Sequence, residues 1–211
     1  MLAILISIRS RHIANIFSGK KLRELRKKFP KHYRGWVYIY CCKDKLTLAE
    51  YLYKDGWVYD AVLNYDYAKS IGCAKEKLNG QVVARFWVDD VTEYINGGRW
   101  NDDNTFGSYD DYIKDNVCEE ACITEEELFA YSDDLAFSSI HITKLEIFDK
   151  PKPLSDFMPR KWGKCGVKDK NGLYQCHKCP HAIHYGHGFG DCGYAPLKRP
   201  PQSWQYVEVT L

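Results

Sequence analysis

The sequence predicts one α+β domain, and three observations lead to that fold class. The opening apolar run, Leu2–Ile8, has the length of a buried strand. In Gln81–Val91 the apolar side chains alternate along the chain, which is typical of a strand. Between these strands, Ile13, Ile16 and Phe17 share one face of a predicted helix.

The composition is that of a soluble globular chain. With 211 residues and 45% apolar content it is long enough for one buried core, so we expect a single domain, residues 1–211, that carries insertions. The apolar start is far shorter than the roughly 20 residues of a membrane span, so no membrane segment is predicted. Nine cysteines without a secretion signal predict a reducing compartment, by default the cytoplasm.

Charge is distributed unevenly along the chain, although the net charge is only +2. Lys20–Arg34 is almost purely cationic, Asp89–Asp134 is acidic, and Lys150–Lys178 is basic again. A basic patch apart from an acidic one suggests that a polyanion is steered to one face of the protein. Charge runs also commonly mark nothing more than a solvated surface, and the sequence leaves both interpretations open.

The densest group of charges follows the first predicted helix. Gly19 stands where a helix can end through one residue at positive φ, so the chain is expected to turn there. If the chain then continues as a strand, Glu24 and Arg26 lie on one face while Lys21 projects from the turn. A carboxylate beside a guanidinium and an ammonium can hold a polar ring or a phosphate. This stretch is therefore the predicted wall of an anion or nucleotide site.

The basic run beyond this turn also contains aromatic residues, on which a base can stack while cations neutralise its phosphate. Tyr33 is the candidate for stacking, whereas Trp36–Tyr40 has the alternation of a strand covered on both faces. The predicted nucleotide- or nucleic-acid-binding residues are Lys20, Lys21, Arg23, Glu24, Arg26, Lys28 and Tyr33.

The middle of the chain alternates between regular elements and a polar insertion. Apolar residues at helical spacing predict a helix over Leu46–Tyr53, and Trp57–Cys73 predicts a strand and a short helix without an assignable role. Residues 96–123 are an acidic loop insertion, and its aspartates lack the spacing of an EF-hand. Thr124 is placed to cap a helix with an acidic first turn, and Ala136–Phe148 predicts one or two further strands.

A second insertion, residues 160–197, combines low apolar content with four cysteines in the spacing C-x10-C-x2-C-x12-C. Such a segment buries too little carbon to fold unaided, and a structural zinc ion on four thiolates would stabilise it. Free thiols in a loop, a redox pair, and a histidine in place of one cysteine remain alternatives. The predicted ligands are Cys165, Cys176, Cys179 and Cys192.

The charged turn has the spacing G-x-K-x-x-E-x-R, formed by Gly19, Lys21, Glu24 and Arg26, and it resembles the signature of ASCH domains. The order of the flanking segments is similar as well, from the first strand to the closing Pro200–Glu208. The resemblance spans both ends of the chain and implies a PUA-like small mixed β-barrel with flanking helices, of the bacterial or phage type. The two insertions interrupt it.

The resemblance implies a protein that binds nucleic acid, with RNA favoured, or a nucleotide, in a cleft lined by the motif. Some small ASCH proteins are amidohydrolases that act on acylated cytidine and others are ribonucleases, so a hydrolase using Lys21 and Glu24 is the alternative. Those hydrolases carry a hydroxyl residue where this chain has Glu24, which removes the obvious nucleophile. A regulatory protein-interaction module is a third possibility without a motif of its own.

The zinc hypothesis predicts that protein purified without chelator carries about one equivalent of zinc per chain. Elemental analysis of the purified chain tests this. Replacing Cys176 and Cys179 together by serine should lower the zinc content and the thermal stability, because metal binding supplies part of the folding free energy. A zinc content near zero in the unmodified protein would contradict the hypothesis.

Overall fold

Strands dominate the structure, whose fold class is α+β as the sequence predicted. The computed structural model describes residues 2–95, 98–100, 105–108, 116–132, 136–159 and 197–209, with the side chains of 98–100 excepted. In this part of the chain, no helix has the length and apolar character that crossing a membrane requires.

Fourteen strands and four short helices make up the described part of the chain. The strands are β1 Leu2–Ile8, β2 Arg23–Arg26, β3 Gly35–Cys41, β4 Thr47–Tyr53, β5 Gly56–Val62, β6 Ala74–Lys77, β7 Val82–Val88, β8 Val91–Tyr94, β9 Gly98–Trp100, β10 Phe106–Ser108, β11 Phe137–His141, β12 Thr143–Lys152, β13 Phe157–Pro159 and β14 Trp204–Val209. The helices are α1 Ser10–Phe17, α2 Tyr65–Ser70, α3 Cys118–Ala121 and α4 Glu125–Tyr131, and Leu154–Asp156 forms a 3-10 turn.

A six-stranded sheet in the order β12-β7-β3-β1-β14-β13 forms the centre of the molecule. Its strands β1 and β3 run parallel, and β1 pairs with β14 in the antiparallel sense. Ile4 and Ile6 pack into the main apolar cluster on one face of the sheet, while Ala3 and Leu5 pack into a second cluster on the other. Because β1 is buried on both faces, its sequence is an apolar run without alternation.

A three-stranded sheet, β2-β11-β8, packs against this central sheet. Ile140 of β11 and Val91 of β8 belong to the main apolar cluster together with residues of β1 and β3. On its opposite face, Leu25 and Phe137 form a separate cluster with Leu128 of α4. The second sheet therefore lies between the main core and the helices α3 and α4.

The third sheet, β5-β4-β6, corrects one prediction, because Leu46–Tyr53 is not a helix but contains strand β4. Leu48 and Leu52 are four residues apart, a spacing that places two side chains on one face of a helix but also on one face of a strand. The hairpin with the next strand decides in favour of a strand, since β4 pairs without a break along the whole of β5.

The remaining elements agree with the sequence in most respects. Trp57–Cys73 contains a strand, β5, and a short helix, α2, as predicted. Thr124 caps α4 by a capping box with Glu127, also as predicted. Within the segment expected to be a loop, β9 and β10 form a short hairpin.

Ser10 ties the start of α1 to the loop before β4. The Ser10 backbone N–H donates to Asp44 Oδ2 at 3.0 Å, and its buried Oγ lies 2.9 Å from Asp44 Oδ1. The same Oγ lies 2.8 Å from the Leu46 carbonyl and accepts from Asn79 Nδ2 at 2.9 Å. Because the residue before the helix provides no side-chain cap, Asp44 caps α1 from a distance.

We predict that Ser10→Ala lowers the free energy of unfolding by about 1–3 kcal/mol, because it removes the hydrogen bonds of a fully buried hydroxyl to Asp44, Leu46 and Asn79. Urea unfolding followed by tryptophan fluorescence measures this loss. The matched control is Ser18→Ala at the other end of α1, where the hydroxyl is exposed and donates only to the Asn15 carbonyl. Equal effects of the two substitutions would show that the Ser10 network is not stabilising.

Candidate functional site

A tight turn after α1 sets the direction of the charged stretch. Gly19 has φ +72, its N–H donates to the Ile16 carbonyl at 3.0 Å, and the Lys20 N–H donates to the Asn15 carbonyl at 3.0 Å. These two hydrogen bonds and the left-handed glycine constitute a Schellman motif. The Lys21 N–H also donates to the Asn15 carbonyl, so the backbone that carries Lys21 is fixed against the end of the helix.

Lys21, Glu24 and Arg26 converge as the motif predicted, and together they form a charged triad. Lys21 Nζ lies 3.4 Å from Glu24 Oε2, and Arg26 Nη2 lies 2.9 Å from Glu24 Oε1. Glu24 and Arg26 share one face of β2, opposite Ile140 and Ser138 of β11. The carboxylate is thus held between two cations.

The charged triad is buried, and this decides the charge state of its acid. Lys21 and Glu24 are only 3% and 5% exposed. Burial by itself would raise the pKa of Glu24, but Arg26 and then Lys21 outweigh it and hold the pKa below its ordinary value. Glu24 is therefore ionised at neutral pH, and the charged triad carries a net positive charge.

Each cation of the charged triad also joins β2 to another element. Lys21 Nζ donates to the Ala121 carbonyl at the end of α3, at 2.6 Å. Arg26 Nη2 donates to the Ser7 carbonyl near the end of β1, at 2.7 Å. The ion pairs therefore connect the central sheet, the second sheet and the helical layer at one point.

A pocket of about 520 Å³ opens over the charged triad. Its wall is formed by the end of β1, the start of α1, strand β2, helix α4 and the segment before β14. The lining residues are Ser7, Ile8, Arg9, Arg11, His12, Lys21, Glu24, Leu25, Arg26, Cys42, Ile123, Glu127, Ala130, Tyr131 and Gln202. Four cations and two carboxylates line it, so the pocket is electropositive and suited to an anionic ligand.

His12 is a neutral member of this wall. Burial, and next the charge of Lys21, lower the pKa of His12 to about 4. Among the described residues, the buried atoms His12 Nδ1 and Arg26 Nε have no hydrogen-bond partner. Buried polar atoms of this kind cost free energy until a water or a ligand pairs with them, so both are candidate contacts for a ligand.

Four other residues predicted for the site lie elsewhere. Lys20 and Lys28 are exposed and do not line the pocket. Arg23 points to the opposite face of β2 from Glu24 and donates to the Glu120 carboxylate. Tyr33 packs its ring against Phe29 and donates its hydroxyl to the Trp36 carbonyl at 2.6 Å, so its ring is not presented to this pocket.

Parts of the basic run and of the acidic run lie next to each other in the structure and form ion pairs. Arg23 and Arg34 lie 3.7 and 3.6 Å from Asp90, and Lys31 Nζ lies 3.5 Å from Glu93. The second sheet causes this mixing, because β11 brings β2 and β8 to its two sides. Three cations of the basic run are thus partly neutralised, whereas the pocket has more cations than carboxylates in its lining.

The pocket also contains residues that the motif did not indicate, above all Arg9, Arg11, His12 and Gln202. Arg11 pairs with Glu127 of α4 at 2.5 Å, which links the two sides of the pocket. For Arg9, Arg11 and His12, the signal in the sequence was a cluster of polar residues at the start of the first helix. Nothing near Gln202 in the sequence indicated its position, because β14 reaches the pocket through its pairing with β1.

The predicted zinc ligands Cys165, Cys176, Cys179 and Cys192 lie outside the described residues. Within the described part of the chain, no group of three or more histidine, cysteine or acidic side chains is close enough to hold a metal ion. Cys118 and Cys122 are free thiols at the two ends of α3.

The fold and the pocket define a strand-rich α+β domain with a buried ion cluster beneath an electropositive cavity. Solved structures similar to it include ASCH from Zymomonas mobilis, with a TM-score of 0.44 and 13% identity over 72% of this chain and 73% of that chain. Two mutants of that protein give TM-scores of 0.43 and 0.42 at 12% and 13% identity, over 72% of this chain and 76% and 74% of theirs. These values are too low to transfer a function. No protein-family model and no curated protein matches the chain.

We predict that stability falls as the pH is lowered from about 6.5 to about 4. Over this interval the unfolded chain protonates His12 while the folded chain keeps it neutral, so protons favour unfolding. The loss from His12 is at most about 3 kcal/mol, and less to the extent that water reaches the ring. Glu24, whose pKa is also lowered, adds a further loss in more acidic solution.

Urea unfolding at a series of pH values, with His12→Asn beside the unmodified protein, measures this contribution. The variant should show a shallower decline of stability in that interval, whereas His32→Asn, at an exposed position, should leave the profile unchanged. An identical profile for His12→Asn and the unmodified protein would show that His12 is not held neutral by the fold.

Proposed function

We propose that this chain is an ASCH-type, PUA-like domain that binds RNA or a nucleotide in the pocket over Lys21, Glu24 and Arg26. The observation that carries the proposal is the convergence of these three side chains at the base of one electropositive cavity. They are nonadjacent in sequence and are the residues that the G-x-K-x-x-E-x-R spacing singles out.

The dimensions and charge of the pocket fit a nucleotide unit. A volume of about 520 Å³ lies within the range of small-molecule sites, roughly 300–1,000 Å³. Arg9 and Arg11 are exposed side chains of the wall and provide charge for a phosphate, while the charged triad lies deeper. We assign the phosphate to the arginines and the base or sugar to the inner part.

Binding is better supported than catalysis. A general base works best with a pKa near the working pH, but the pKa of Glu24 is held low and that of His12 is about 4. Lys21 Nζ is already engaged by the Ala121 carbonyl and by Glu24. An amidohydrolase or ribonuclease activity is therefore the alternative function, and it is tested by product analysis.

The cysteine-rich insertion enters the proposal as a support for binding. A zinc ion on Cys165, Cys176, Cys179 and Cys192 would fold a basic segment that carries further lysines, and basic zinc knuckles commonly contact nucleic acid. Loss of zinc should then weaken RNA binding without altering the charged triad.

Fluorescence anisotropy with labelled single-stranded RNA, the same sequence as DNA, and a competing mononucleotide tests the proposed function. We predict that Lys21→Ala combined with Arg26→Ala weakens binding by tenfold or more, because two of the four cations that make the pocket electropositive are lost. Arg9→Gln at the exposed wall should weaken binding in the same direction without disturbing the buried ion pairs.

Lys54→Gln combined with Lys77→Gln is the matched control, since it removes two exposed cations from the third sheet, away from the pocket. Thermal unfolding of every variant separates lost binding from lost folding. Equal weakening by the control pair would indicate nonspecific attraction and contradict the assignment of the pocket. Product analysis of RNA and acylated cytidine after incubation with the protein reports on hydrolysis.

A further inference from the structure

The outer strand of the third sheet, β5, has a free edge. In the order β5-β4-β6, β5 pairs with β4 along its full length, from Gly56 to Val62, and no second strand among the described residues pairs with it. A strand in this position presents unpaired N–H and C=O groups that another strand can use.

The register shows which backbone groups point outward. The Leu52 N–H donates to the Cys73 carbonyl and the Leu48 carbonyl accepts from Leu78, so these two residues of β4 direct their backbone groups away from β5. Backbone groups alternate in direction along an antiparallel strand, so the residues opposite them in β5, Trp57 and Ala61, face away from β4. Tyr59 lies between Trp57 and Ala61, and its backbone N–H and C=O also face away from β4.

A side-chain contact supports this assignment. The Ala61 N–H donates to the carboxylate of the adjacent Asp60, at 2.7 Å, rather than to a backbone carbonyl of β4. The outward donors of β5 thus include one that is covered only by a short exposed side chain, and this contact can be exchanged for a strand partner.

The other long edge of the structure is protected, and β5 is not. Strand β12, the edge of the central sheet, contains Pro151, two irregularities in its pairing, and several lysines. These devices discourage edge pairing. In contrast, β5 has an unbroken register, no proline and no lysine, and Asp60 is its one charged residue.

Exposed apolar side chains are concentrated around this edge. Trp57 is 39% exposed and Val58 is 44% exposed, on opposite faces of β5. Leu52 and Tyr53 of β4 and Leu63, which directly follows β5, are exposed apolar residues next to them. A surface of this kind marks a protein contact more often than a solvated face.

We propose that β5 pairs with β5 of a second copy of this chain, antiparallel and centred on Tyr59, to form a symmetric dimer. In this register Tyr59 lies opposite its own counterpart and Trp57 lies opposite Ala61, so that the outward groups of both strands form about six hydrogen bonds. A two-fold axis satisfies the same groups on both copies.

Charge selects this register over its neighbours. Centred on Tyr59, the pairing places Asp60 of one copy opposite Val58 of the other, at a close cross-strand position. A register centred on Asp60 would place the two Asp60 carboxylates opposite each other. It would also place the outward backbone groups of each strand opposite residues whose backbone groups point inward, so that the hydrogen bonds could not form.

Sedimentation velocity over a wide range of protein concentration tests the dimer on the full chain. The unmodified protein should show a concentration-dependent equilibrium between monomer and dimer. Val58→Lys should tighten the dimer by about tenfold, because each lysine meets Asp60 of the other copy, and Val58→Asp should weaken it by a similar factor. Ala61→Pro should abolish it by removing an outward N–H.

Tyr67→Ser is the control, since it removes an exposed ring from α2 without touching the edge of β5, and it should leave the dimer unchanged. If Ala61→Pro fails to fold, the two Val58 variants still decide the matter. A protein that is monomeric at all concentrations, or Val58 variants that shift the equilibrium in the same direction, would overturn the proposal. So would a loss of dimer in Tyr67→Ser equal to that in Val58→Asp, because it would indicate nonspecific apolar association.

Discussion

The buried carboxylate of Glu24 is the constraint on which the arrangement of the pocket depends. A carboxylate that is 5% exposed must be paired, and Lys21 and Arg26 pair with it from two sides. Buried ion pairs recover their desolvation cost only in part, so this cluster is weak evidence for stability and better evidence for a site with a defined geometry. Because the two cations also bind the Ala121 and Ser7 carbonyls, the acid fixes the distance between the helical layer and the central sheet.

Much of this cluster could be predicted from sequence because its determinants are local. The glycine turn, the alternation along β2 and the motif spacing all lie within one short stretch, and they were sufficient to place Lys21, Glu24 and Arg26 together. The buried first strand was predicted for a similar reason, since a strand covered on both faces has a continuous apolar run. In both cases, residues close in the sequence determine the local conformation.

The errors concern positions whose surroundings come from distant segments. Leu48 and Leu52 have a spacing that suits a helix or a strand, and only the hairpin with β5 decides between them. Tyr33 lies in a basic segment, which suggested that its ring stacks on a base. Its position is instead determined by the buried ring of Phe29 and by the Trp36 carbonyl, to which its hydroxyl donates. The charge runs were similarly ambiguous, because the strand order of the second sheet brings Asp90 and Glu93 to the basic segment.

The Schellman turn at Gly19 limits how α1 can vary in related proteins. An α-helix advances 1.5 Å and rotates by about 100° with each residue. One residue added to or removed from Ser10–Phe17 would therefore swing the ammonium of Lys21 around the helix axis and away from the acid. We expect insertions in this helix to be tolerated only when they add close to a whole number of turns. The length of α1 should therefore vary less among homologues than the lengths of the loops on either side of it.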